Sequence, residues 1–192
     1  MIGKSMRCRL LLLAICLVIG IDSLSSIGFS APSKQYVSPG TPVTYSDSGS
    51  THVMTLQNLL SGAGVYGARH DMGTGSHPAQ WMWACSFTLT GTNVAGAQIE
   101  IYVSWSDGTY ADGALGTTNG SLASADKRRD LKLVGTVIVD QTTTNTTMTA
   151  SGMAWIPTRY FSPAVWNGTT LPTQNVANTS SCAFTPVPPE NQ

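Results

Sequence analysis

Ile99-Glu100-Ile101-Tyr102-Val103-Ser104-Trp105-Ser106 is the stretch that decides the fold. Its odd positions are apolar, while Glu100, Tyr102, Ser104 and Ser106 stand between them, so a two-residue side-chain repeat buries one face and wets the other. That is the pattern of a half-buried antiparallel strand. Just upstream the same repeat recurs. Trp81, Trp83, Cys85, Phe87 and Leu89 alternate with Met82, Ala84, Ser86 and Thr88, and Gly91-Thr92-Asn93 with Gly96 supply the turn between the two runs. These two strands are expected to form a hairpin.

Residues 131–139 are apolar on both faces, with Leu131, Leu133, Val137 and Val139 on one and Val134 and Ile138 on the other, which predicts an interior strand. Residues 146–156, 159–167 and 182–187 are further strands, bounded by turn chemistry at Asp140-Gln141, Pro157 and Asn167-Gly168. Pro163 cannot donate to a ladder, so its strand belongs at an edge or carries a bulge there. Residues 42–45 and 53–60 read as strands, although 54–60 also fits a helical turn, and only 121–130 reads as a turn or two of helix. The expected fold is all-β: a single antiparallel β-sandwich of seven or eight short strands, jelly-roll or Greek-key, over residues 53–192, with 32–52 as an N-terminal arm or first strand. No period of 20 to 50 residues marks a solenoid or propeller.

Composition agrees. The 192 residues include 19 Gly and 10 Pro and are only 10% charged, a weakly charged, turn-rich chain that excludes a long coiled coil. There is no basic footprint for nucleic acid and no acidic tail. Lys4, Arg7 and Arg9 precede the apolar run 10–21, and small residues follow, so residues 1–31 read as a signal-peptide-like helical leader cleaved near residue 30. Ile15 before Cys16 argues against lipidation, and the run falls short of the roughly 20 residues of a stable membrane anchor. Cys8 and Cys16 leave with the leader. Cys85 and Cys182 remain, either as a disulfide of an exported protein or as two separate buried thiols.

The search for chemistry is largely negative. His70, Asp71 and His77 could supply a metal site by count, but their spacing matches no metalloenzyme pattern and the surrounding glycines read as loop. Neither a nucleophile elbow, nor a phosphate-cradling loop, nor a dinucleotide fingerprint occurs, so no cofactor and no enzyme activity is expected. Glu100, Asp107 and Asp112 are the carboxylates that a glycosidase reading would need, yet the pairs Asp107-Gly108 and Asp112-Gly113 are turn signals before they are a calcium loop. Trp81, Trp83 and Trp105 are in the inward phase and are read as core. Tyr102, out of that phase, and Tyr110, in the Asp-Gly loop, are the expected exposed contact residues. With Asp107, Asp112 and Asn119 they form a candidate sugar-binding set.

Over about residues 43–192 the chain resembles a family of bacteriophage virion-associated β-sandwich structural proteins, of the tail, fibre or capsid-surface kind. The resemblance is carried by Thr55-Leu56-Gln57-Asn58-Leu59 followed by Ser61-Gly62-Ala63-Gly64, by Ile99-Glu100-Ile101-Tyr102-Val103 followed by Ser106-Asp107-Gly108-Thr109-Tyr110-Ala111-Asp112, and by Leu131-Lys132-Leu133-Val134-Gly135. Ile156-Pro157-Thr158-Arg159-Tyr160, Ala164-Val165-Trp166-Asn167 and Thr185-Pro186-Val187 complete it in order. It implies a non-enzymatic structural component acting in particle assembly or host-surface contact. The partners it implies are other virion proteins or a second copy of the chain, a trimer in the case of a fibre. The leader departs from the pattern, so the expected location is the virion, or the periplasm or exterior if the leader acts. The alternative is an exported carbohydrate-binding module whose partner is a host-surface glycan.

Overall fold

The computed structural model describes residues 40–92, 94–108, 117–122, 124–139 and 146–188. Eleven strands run in the order β1 (Val43–Ser46), β2 (His52–Val53), β3 (Ala63–Tyr66), β4 (His70–Asp71), β5 (Gln80–Thr88), β6 (Gln98–Ser106), β7 (Gly120–Leu122), β8 (Lys132–Ile138), β9 (Thr147–Trp155), β10 (Tyr160–Asn167) and β11 (Ser181–Val187). One sheet has the order β2-β1-β11-β5-β9 and the other β7-β3-β10-β6-β8, with β4 also on β10. All pairings are antiparallel except that of β1 with β2. The two sheets pack as a β-sandwich. The count exceeds the expected seven or eight because three elements, β2, β4 and β7, have only two or three residues, too short to leave a pattern in sequence. The signal-like helix of the leader lies outside the described residues.

Alternation in β5 and β6 has the expected consequence for burial. Trp81, Trp83, Cys85 and Phe87 from one sheet and Ile99, Ile101 and Val103 from the other are all buried in one core with Tyr45, Phe161 and Phe184. The two strands do not form a hairpin, however; they lie in opposite sheets. A period of two fixes which side of a strand is buried but not whether its successor lies alongside or across the core. The connection between them crosses the sandwich, held where Gly96 N–H donates to Val139 O and Val139 N–H to Ala97 O, each at 2.8 Å.

The expectation of an interior strand at 131–139 also fails. β8 is an edge strand, and Leu133 and Ile138 are half exposed. Its double-faced apolar pattern comes from a bulge: Ile101 pairs with Gly135 but Tyr102 with Leu133, so Val134 is extra and the inward phase switches there. Pro163, expected at an edge or at a bulge, sits in the central strand β10 between β3 and β6, so the edge alternative fails and the irregularity lies on its β3–β4 side. Its carbonyl accepts from Gly67 N–H at 2.9 Å, so its missing donor faces the gap between the end of β3 and the start of β4. The register on that side slips by one residue across the gap, from Ala164 opposite Tyr66 to Phe161 opposite His70. Residues 54–60, expected as strand, are irregular. Asp47 Oδ1 takes the N–H groups of both Leu56 and Gln57 at 2.7 Å, while Met54, Leu56 and Leu59 enter the core.

Cys85 and Cys182 are register partners on β5 and β11 and are joined as a disulfide. The ends of the described sandwich meet, since Gly40 N–H donates to Pro186 O at 3.1 Å.

Candidate functional site

The two outer faces of the sandwich differ. Over the second sheet, the segment carrying β7 and a 3-10 helical turn at Ala125–Asp130 folds back onto Tyr102, Ala164 and Trp166, and Leu122 and Leu131 complete a small second core. The Arg128 guanidinium lies 4.3 Å from the centre of the Trp166 ring and pairs with Glu100 Oε2 at 2.6 Å. Tyr102 donates its hydroxyl to the same Glu100 oxygen at 2.6 Å. Burial, and after it the Glu100 carboxylate, push the phenol up to about 12. Tyr102 is therefore not the exposed contact expected of it: it is 8% exposed, because the flap covers its face. Glu100 is committed to Arg128 and Tyr102.

Asn119 lies at the rim of a polar cleft of about 420 Å³ between residues 55–65 and β7, where Thr55, Gln57, Asn58 and Ser121 also present side chains. Asn119 Nδ2 donates to Thr55 Oγ1 at 3.2 Å, and Gln57 Nε2 to Asn175 Oδ1 at 3.0 Å. Asn58 holds φ at 52°, the left-handed turn conformation that asparagine tolerates. Asp107 is exposed just past the end of β6, and neither it nor Tyr102 lines this cleft. Tyr110 and Asp112 lie outside the described residues. Gln57 and Asn58 were not singled out in sequence, because they stand in a segment that reads as strand.

His52 and His70 stand on the short strands β2 and β4, whereas His77 lies in a loop as expected. His52 and His70 approach with Nε2 and Nδ1 3.4 Å apart, and their rings pack against Tyr45, Trp81 and Phe161. Desolvation lowers both imidazoles below their ordinary value, and for His70 the neighbouring His52 adds to it. Adjacent residues on a strand point to opposite faces, so Asp71 turns away from this pair and receives Arg159 at 2.6 and 2.7 Å, which holds its carboxyl down at about 2. His77 is engaged locally with Gly75 O at 3.1 Å. The trio His70, Asp71 and His77 does not converge, and among the described residues no three His, Cys, Asp or Glu side chains cluster as metal ligands. A cleft of about 390 Å³ opens beside His70 at one end of the sandwich, walled mainly by Pro42, Met72, Pro78, Trp81 and Pro186.

The outer face of the first sheet carries exposed apolar side chains. No Asp, Glu, Lys or Arg occurs in any of its strands. Met82 and Met153 are register partners there, as are Gln80 and Trp155, and Met82, Met153 and Trp155 are exposed at 40%, 53% and 59%. Sequence reading missed this surface. The available signal was Met153 and Trp155 in the outward phase of a strand without charge.

No family model matches the chain, and no curated protein matches it.

Proposed function

We propose that the protein is a non-enzymatic structural component of a virion or cell surface, acting through its sandwich faces in particle assembly or host-surface contact. The observation that carries this reading is the outer face of the first sheet, whose strands hold no Asp, Glu, Lys or Arg and which exposes Met82, Met153 and Trp155. A large apolar side chain costs free energy in water, and several together on a neutral face favour a protein partner. The order of the eight longest strands supports the same reading. They run β1-β11-β5-β9 over β3-β10-β6-β8, the arrangement of a jelly roll, an architecture found in viral capsid domains and in lectins. Fold alone does not set function, so the weight rests on the surface.

The test is peptide mass spectrometry on purified particles and on the exported fraction of the source culture, following the tryptic peptide 133–159. Enrichment in particles supports the reading for a virion component. Recovery only in the exported fraction moves the protein to a surface role outside any particle.

The second reading is a carbohydrate-binding module, favoured by the polar cleft at Thr55, Gln57, Asn58, Asn119 and Ser121. A glycan panel with the wild-type chain and Asn119→Ala tests it, and it is abandoned if the wild type binds nothing.

A further inference from the structure

A sheet in a sandwich ends in two edge strands, whose outward N–H and C=O groups invite pairing with another chain unless something blocks them. Three of the four edges here are blocked. β2 has two residues and β7 has three, too short to template a ladder. β8 begins at Lys132 and is bulged at Val134, a charge and an irregularity that both oppose pairing. The fourth edge, β9, has nine residues in regular register with β5 and contains no charge and no proline.

The direction of its backbone groups follows from one hydrogen bond. Ile156 N–H donates to Ala79 O at 2.7 Å, so in this antiparallel pair the even-numbered residues of β9 bond to β5 and the odd-numbered ones point their N–H and C=O outward. Among the described residues no backbone group pairs with Thr149, Ser151, Met153 or Trp155 on that side.

We propose that β9 pairs antiparallel with β9 of a second copy of this chain about a two-fold axis at Ser151, extending the first sheet across both copies. In that register Ser151 meets itself, Thr149 meets the second copy's Met153, and Thr147 meets its Trp155. The outward hydrogen-bonding groups coincide, as a two-fold axis requires. All of these pairs are uncharged, so no like-charge pair opposes this register. Met153 and Trp155, exposed in the single chain, gain cross-strand neighbours. The inference goes beyond the structural role above, because it holds for an exported protein as well as for a particle component.

Sedimentation velocity of the full chain over a dilution series tests it. The wild type is expected at twice the 20.2 kDa chain mass, dissociating on dilution. Ser151→Lys sets two like charges at the axis and should weaken the pair by at least about tenfold. Ser151→Pro removes an outward N–H that β5 does not use and should do the same, with circular dichroism and melting temperature reporting that each variant folds. Thr185→Lys, on the same outer face but two strands from the edge, should leave the dimer unchanged. A wild type that stays single at every concentration overturns the proposal. So does a dimer that survives both Ser151 substitutions, or one that Thr185→Lys disrupts as strongly.

Discussion

Cys85 and Cys182 stand directly opposite each other on neighbouring strands, their Cα atoms 4.1 Å apart and 97 residues apart in sequence. Even-numbered residues of β5 bond to β11, so the cysteines form a non-hydrogen-bonded pair, the closer of the two antiparallel spacings. The bridge ties β11, the last strand in sequence and the middle one of its sheet, to its neighbour β5. Its removal by Cys85→Ser with Cys182→Ser is expected to cost about 2 to 5 kcal/mol, since the open chain regains the entropy of a long loop. Denaturant titration of the variant against the oxidised wild type measures it.

Ile101 is fully buried in the main core, between the register partners Val165 and Gly135. Ile101→Ala removes three carbons without opening a path for water, and the expected loss is about 2 to 5 kcal/mol. The midpoint of urea unfolding should fall with little change in its slope.

Trp83 reaches across the core to the two edge strands β8 and β9, where the two sheets come close together. A methyl group at Gly135 would collide with its indole, and one at Gly152 would stand 2.9 Å from it. Gly135→Ala should therefore destabilise by about 1 to 3 kcal/mol through overpacking. Combined with Trp83→Leu, which vacates the indole, the same substitution should cost less than it does alone, and a double-mutant cycle reads the difference.

His52 and His70 give the fold a pH dependence of known sign. Both are held below the ordinary 6.5 by burial, so the unfolded chain takes up protons at a pH where the folded one does not. Stability is full above that value and is lost as pH falls from it toward the depressed folded values. Melting temperature should fall between pH 7 and pH 5, and His70→Gln should flatten the slope. Asp71 adds nothing in that window. Its contribution is present above its ordinary 3.8 and disappears only as pH falls toward about 2.

Much of this architecture was legible. The alternation at Trp81 to Phe87 and Ile99 to Val103 identified the buried faces of both sheets, because burial is a property of a strand and its own side chains. What stayed hidden depended on partners far away in sequence. Tyr102 has the phase of an exposed residue and is covered only because Leu131 and Arg128 fold back over it. Pro163 argued for an edge or a bulge, and its place in a central strand depends on β3 giving way to β4 beside it with a slip in register. His52 and His70 meet although 18 residues separate them, and periodicity carries no trace of that. Of the three proposed sugar contacts among the described residues, Tyr102, Asp107 and Asn119, only Asn119 lines the cleft, a position created by residues 55–65.

The hydrogen bond from Gly40 to Pro186 makes the described chain closer to a ring than to a thread. A short linker joining residues 188 and 40 would close it without disturbing any ladder, and new termini could then be cut into an exposed connection elsewhere. Cargo joined directly at residue 40 or 188 emerges beside β1 and β11, separated by β5 from the β9 edge. A sandwich joined there can thus be carried as a passenger while the proposed β9 pairing edge stays clear.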